Sequence, residues 1–170
     1  MGNTRFPKSI FVALVLMAAV QLNYYAQRLP DIVGSRFGTS GFASAWQTKM
    51  ALFMVELTVI VVATIVSFAV PRLITAMPAS AINLPNKEFW LRPERREETF
   101  LFLRAQMAWF GCALLAFLLF VMELVFRANL QTPPRLNNAA FVPALLAFLA
   151  FSATWTIRFV FHFSRAEFKK

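Results

Sequence analysis

The chain has 170 residues, of which 59% are hydrophobic and 15% are charged, with 17 Lys and Arg against 8 Asp and Glu. Its mean hydropathy is +0.60. Soluble domains are usually ~45–50% apolar and ~25% charged, so the composition argues against a soluble enzyme and excludes a disordered or collagen-like chain. In a chain this apolar, the positive excess indicates charges that flank membrane segments, and we expect no nucleic-acid partner.

Four apolar segments approach the ~20 residues that a helix needs to cross a bilayer. They cover about residues 9–25, 50–70, 100–126 and 141–161, with an outer loop at 26–49 and a cytoplasmic loop at 71–99. No small-residue cleavage site follows the first segment, so we expect it to be retained as a helix. The prediction is an all-α integral membrane protein, with residues 1–170 forming one domain, a four-transmembrane-helix bundle of antiparallel neighbours.

The orientation follows from the distribution of Lys and Arg. Twelve of the 17 flank the N-terminus, the loop at 71–99 and the C-terminus, and five lie in the other two loops. The twelve include Arg165, Lys169 and Lys170 at the C-terminus. Both termini are therefore predicted to be cytoplasmic. Pro93, with Glu94 close behind it, suits a helix N-terminus, so the third helix is expected to begin before the membrane.

Two acidic residues, Glu56 and Glu123, lie within the apolar segments. An ionisable side chain costs at least ~2.5 kcal/mol at the centre of a membrane helix, so it usually faces a cavity or a partner. Gln21 and Asn23 reach a similar depth on the first helix. These residues and Arg127 predict an outward-opening polar pocket in which an Arg pairs with a carboxylate or one carboxyl holds a proton. The alternative is that Glu123 pairs locally with Arg127 and that Glu56 snorkels toward water or bonds a neighbour on its helix.

The outer loop contains three of the five glycines of the chain. Gly permits tight turns, so a compact folded cap is expected. The loop motif comprises an apolar start, a basic residue before an aromatic one, a glycine, and Trp and Lys before the second helix: Leu29, Pro30, Val33, Arg36, Phe37, Gly41, Trp46 and Lys49. Trp46 is expected near the lipid headgroups, with Lys49 reaching water beside it.

This motif resembles the bacterial membrane family called domain of unknown function 1648, which also occurs at the N-terminus of immunity proteins against the sporulation-delay toxin. The resemblance covers roughly residues 9–70 and implies a multi-pass protein of the bacterial cytoplasmic membrane. The family usually has Pro and His where this chain has Gly34 and Arg36. A role that rests on the loop His therefore does not carry over.

The sequence gives no positive sign of an enzyme, a cofactor or a metal centre. The chain has one cysteine, Cys112, and one histidine, His162, and it lacks nucleotide-binding and hydrolase motifs. Cys112 stands between Ala108 and Ala116 at a spacing typical of close helix packing. We therefore expect no enzymatic activity and no bound cofactor or metal.

Three functions stay open at this point. The first is a non-enzymatic sensory, immunity-type or accessory membrane protein, whose outer loop and polar pocket meet a protein partner or a second copy of the chain. The second is a structural subunit of a larger membrane complex, since the Phe-rich segments suit lateral packing beside the membrane lipids. The third is a small ion or solute transporter that uses Glu56 and Glu123.

The charge distribution gives a testable orientation. In a Cys112→Ala background, Ser40→Cys should react with a membrane-impermeant thiol reagent added to the outside of intact cells. Labelling only in inside-out vesicles would reverse the predicted topology.

Overall fold

The computed structural model describes residues 4–164 and is about 75% helical. Its four long helices are Arg5–Ala26, Lys49–Ala76, Pro93–Asn129 and Asn138–Ser164, called the first to fourth helix below. Each is long and apolar enough to cross a membrane. The C-terminal cations Arg165, Lys169 and Lys170 lie outside the described residues.

The helices extend beyond the predicted apolar segments. The second helix passes residue 70 and ends at Ala76, and the third begins at Pro93, which stands in its first turn. At 1.5 Å per residue, the third helix is about 55 Å long, more than the ~30 Å of a hydrocarbon core. The third helix is therefore longer than a bilayer crossing requires, and its first turns are charged.

The all-α prediction is wrong in the outer loop, which forms a β-hairpin. Strand β1 (Ile32–Phe37) pairs antiparallel with strand β2 (Ala43–Thr48), and Gly34 stands opposite Trp46. Gly41 closes the turn with φ of 84°, a conformation that residues with a Cβ rarely adopt. Thr48 then caps the second helix, because its side chain accepts a hydrogen bond from the Ala51 amide at 3.2 Å.

The third helix is the centre of the bundle. It contributes to both hydrophobic clusters of the core. One cluster contains Phe11, Ala18, Ala63, Cys112, Leu115 and Leu119, and the other contains Tyr25, Leu29, Val33, Leu52 and Phe126. The second cluster joins the hairpin to the helices, so we call this end of the bundle the cap end and the other the far end. Cys112 is buried, and its thiol donates to the Pro7 carbonyl at 3.1 Å.

A π-helical turn at Ile65–Ala69 interrupts the second helix just before Pro71. Proline has no amide hydrogen and its ring crowds the carbonyl four residues earlier, so a widened turn lets the helix continue. The turn places buried Ser67 against Gly111 of the third helix. A Cβ at Gly111 would overlap the Ser67 side chain, so the two helices approach closely at this point.

The fourth helix packs mainly against the third, through aromatic rings. Phe117 and Phe148 stack with centroids 4.4 Å apart, and Phe110 meets Trp155 at 4.7 Å. Among the described residues of the fourth helix, only Phe163 is buried. The loop between the second and third helices contains the short helix Lys87–Trp90, whose Trp90 indole donates to the Phe163 carbonyl at 2.9 Å.

The close crossing predicts a rescue experiment. Gly111→Ala should lower the unfolding temperature, with a cost of about 1–3 kcal/mol, because its methyl group overlaps Ser67. Adding Ser67→Gly should restore most of the loss. Gly38→Ala is the matched control, since its methyl group would meet no atom closer than 3.9 Å. Equal unfolding temperatures for the Gly111 and Gly38 variants would contradict the crossing.

Candidate functional site

The cap comprises residues 29–48, and its underside is fixed on the bundle by apolar contacts. Leu29 and Val33 are buried against Tyr25, Leu52 and Phe126. Val33 is fully buried although its strand lies at the surface. Because these side chains come from three helices and the hairpin, the cap cannot move without opening the core.

Asn129, in the last turn of the third helix, holds the hairpin by its backbone. Its side-chain oxygen accepts from the Gly34 amide at 2.5 Å, and its side-chain nitrogen donates to the Gly34 carbonyl at 3.0 Å. The same nitrogen also donates to the Val125 carbonyl at 2.9 Å. Asn129 is 4% exposed, so the paired groups have no competing contact with bulk solvent.

The connection between the third and fourth helices holds the other strand and the turn. The Leu136 amide donates to the Gly41 carbonyl at 2.8 Å, and the Ala43 amide donates to the Pro134 carbonyl at 3.3 Å. At the start of the fourth helix, the Asn138 side chain donates to the Thr39 carbonyl at 2.8 Å. A Cβ at Gly41 would approach the Leu136 carbonyl to 2.8 Å, so this contact also depends on the glycine. The cap is therefore anchored from two sides.

The outer surface of this anchored cap is apolar and basic. Ile32 and Trp46 are each 55% exposed, and Phe42 is 44% exposed under the Arg135 guanidinium. Arg36 is exposed on strand β1. Such a combination of exposed aromatic rings and Arg is typical of surfaces that bind other proteins.

The other residues of the loop motif have structural roles or lie at the surface. The Lys49 ammonium pairs with the Asp31 carboxylate at 2.9 Å, which fixes the base of the hairpin. Phe37 is half-buried at the end of strand β1, and Pro30 is exposed. Of the cations at this end, Arg28, Arg36 and Arg135 form no ion pair within the described residues.

Glu123 is the acceptor of a polar cluster between the first and third helices. Gln21 donates to one carboxylate oxygen at 2.9 Å, and the Tyr25 hydroxyl donates to the other at 2.9 Å. Arg127 pairs with the same carboxylate at 2.6 Å. Glu123 therefore has both the local partner and the partners across the helix interface, and three donors offset the cost of its partial burial.

Glu56 differs from Glu123, because it is buried without a partner. It is 1% exposed, and neither carboxylate oxygen forms a hydrogen bond within residues 4–164. Glu56 thus faces the bundle interior and takes no part in the hydrogen bonds of the cluster.

The placement of the predicted pocket residues is mixed. Gln21, Glu123 and Arg127 form the cluster, and Glu56 is buried without joining its hydrogen bonds. Asn23 is exposed on the first helix and does not belong to the pocket, because two residues along a helix turn a side chain to the opposite side. Two further side chains, Tyr25 and Asn129, form hydrogen bonds at the cap end and are absent from the predicted site. Tyr25 is four residues after Gln21, and that helical spacing could have identified it.

Within residues 4–164, no group of three or more His, Cys, Asp or Glu side chains is arranged to hold a metal ion. No family model matches the chain, and no curated protein or solved structure is significantly similar to it. The resemblance of the first two helices and their loop to the domain of unknown function 1648 family stays a prediction from the loop motif.

The two hydrogen bonds between the Asn129 side chain and the Gly34 backbone can be tested with a matched pair of variants. Asn129→Ala leaves two buried backbone groups unpaired, at about 1–3 kcal/mol each, and should make the cap more sensitive to proteases. Asn23→Ala, an exposed asparagine on the first helix, should leave the sensitivity unchanged. The anchor has no role if both variants are cleaved in the cap at the rate of the parent protein.

Proposed function

We propose that this chain is a non-enzymatic protein of the bacterial cytoplasmic membrane that recognises a protein partner with its cap. Four helices cross the membrane with both termini in the cytoplasm, which places the cap outside. The support for this orientation is the excess of Lys and Arg near the termini and the loop at 71–99. The protein is of the sensory, immunity or accessory type.

The observation that carries the proposal is a rigid cap with an exposed binding surface. Asn129 and the connection at 130–137 hold the backbone of the hairpin, while Ile32, Phe42 and Trp46 face outward. Preorganised loops lose little conformational entropy on binding. An anchored hairpin with exposed aromatic rings is therefore better suited to recognition than to linking two helices.

The charges on the cap and next to it select the kind of partner. Arg28, Arg36 and Arg135 lack an ion pair within the described residues, and the one acid of the cap, Asp31, is paired with Lys49. The surface is therefore complementary to an acidic segment of another protein. The Arg28 guanidinium donates a hydrogen bond to the Tyr24 carbonyl at 2.8 Å and also lies over the Tyr24 ring.

A photoreactive amino acid at position 46 tests the proposal in cells. The Trp46 position should give a discrete protein adduct, and Arg36→Glu should lower its yield roughly ten-fold, the equivalent of about 1.4 kcal/mol. Val61, equally exposed on the second helix, is the control position and should give lipid adducts alone. Only lipid adducts from positions 32, 42 and 46 would mean that the cap is an interfacial anchor.

A second candidate function, ion or proton translocation, is favoured by Glu56. A buried carboxyl group without a hydrogen-bond partner is a suitable place to hold a proton or a cation. Glu56→Gln separates the two functions. It should leave the adduct at position 46 unchanged if the cap carries the function, and it should abolish proton or cation flux into proteoliposomes if the chain is a transporter.

A third function, a subunit of a larger complex, is favoured by the fourth helix, of which only Phe163 is buried among the described residues. The identity of the adduct distinguishes this case. Crosslinks from exposed positions of the fourth helix to the same protein that Trp46 reaches would indicate a permanent subunit.

A further inference from the structure

The far end of the bundle collects positive charge around two cavities. Lys8 of the first helix, Arg72 of the second, and Arg96 and Arg104 of the third line these cavities. We infer that they form a binding site for a phosphate group, supplied by a phospholipid headgroup or by a free phosphate. The site lies at the end of the bundle opposite the cap and is independent of the function proposed for the cap.

The two cavities share one wall. The smaller, of about 110 Å³, lies between the first three helices and is lined by Lys8, Ser67, Arg72 and Arg104. The larger groove, of about 350 Å³, runs along the third helix and is also lined by Arg104. Pockets for drug-sized ligands measure ~300–1,000 Å³, so the smaller cavity accommodates a small group and the groove accommodates what is attached to it.

Arg104 is the central residue of the site. One terminal nitrogen of its guanidinium donates to the Thr75 hydroxyl, which fixes the side chain between the second and third helices. Its Nε is buried and has no hydrogen-bond partner within residues 4–164. A buried cationic N–H without an acceptor is costly, so an anion that offers an oxygen to this Nε would stabilise it.

No carboxylate of residues 4–164 supplies that acceptor. The ion pairs within residues 4–164 are Lys49 with Asp31 and Arg127 with Glu123, both at the cap end. The one acidic side chain lining the two cavities, Glu97, is exposed and belongs only to the groove. Arg96 is held by the Met77 carbonyl at 3.1 Å, a neutral acceptor that leaves its charge uncompensated.

The chemistry of this arrangement matches a phosphate. Several cations from three helices converge on one small space, and a guanidinium offers parallel donors suited to phosphate oxygens. The Ser67 hydroxyl, on the π-helical turn, also lines the smaller cavity. Basic pockets between helix ends at the cytoplasmic surface bind anionic lipid headgroups in this way.

Purified full-length protein in a neutral detergent tests the site. Titration with phosphatidylglycerol, at constant ionic strength, should give saturable binding by native mass spectrometry and a rise in unfolding temperature. The same titration is repeated with phosphatidylcholine, whose headgroup is zwitterionic, and with inorganic phosphate, so that the three compounds can be compared. Saturation by phosphatidylglycerol alone assigns a lipid source, and saturation by inorganic phosphate assigns a free phosphate.

Three single-charge variants decide whether the site is the one described. Arg104→Gln and Arg72→Gln should each weaken binding about ten-fold or more, as loss of a charged hydrogen bond predicts. Arg36→Gln makes the same change of charge on the cap and should have no effect. Because Arg72 is exposed and its side chain forms no hydrogen bond in the described residues, its variant keeps the test valid if Arg104→Gln fails to fold. Absence of saturable binding, or equal weakening by Arg36→Gln, would overturn the inference.

Discussion

An apolar bundle in a membrane offers no water to a buried polar group, so each such group must find its partner within the chain or in a ligand. This constraint organises the structure described above. At the cap end, Asn129 satisfies the backbone of the hairpin, and Glu123 receives donors from two helices. Five described side chains do not meet the constraint, because each has a buried polar atom without a hydrogen-bond partner: Gln21, Glu56, Arg104, Ser152 and Trp155. Glu56 and Arg104 are the ionisable ones, and they are the residues for which we propose a bound proton or cation and a bound phosphate group.

Side chains of the third helix supply hydrogen-bond partners at both ends of the bundle, because this helix runs through its whole length. Its final turns carry Glu123 and Asn129, which bind the first helix and the hairpin. Its first turns carry Arg96 and Arg104, which bind the second helix and the segment that follows it. One helix therefore sets the chemistry of both surfaces. Positive charge is paired or exposed at the cap end and converges on a cavity at the far end.

The helices could be predicted from sequence because apolar length is a strong and local signal. Pro93 marked the start of the third helix in the same way. The hairpin could not be predicted so directly, because its strands are short and β1 is held by Asn129, at a helix end distant in sequence. Its local signs were the glycines of the loop and the mixture of small and polar residues in Ala43–Thr48. The position of each residue along its helix correctly predicts that Gln21 and Glu123 lie near each other. That position does not define which face of the helix a side chain occupies, so it also predicts a pocket role for exposed Asn23 and does not identify Tyr25.

The fourth helix is attached to the rest of the protein by hydrogen bonds near each of its ends. Asn138 fastens one end to the hairpin, and the Phe163 carbonyl receives Trp90 at the other. Between these two ends the helix contacts the third helix through aromatic rings, such as Phe117 stacked on Phe148. Ring stacking has no fixed register along the helix axis, and acyl chains are as apolar as the rings they would replace. Along the described part of this seam, the third and fourth helices are therefore joined mainly by aromatic ring contacts, and the polar attachments of the fourth helix lie near its two ends.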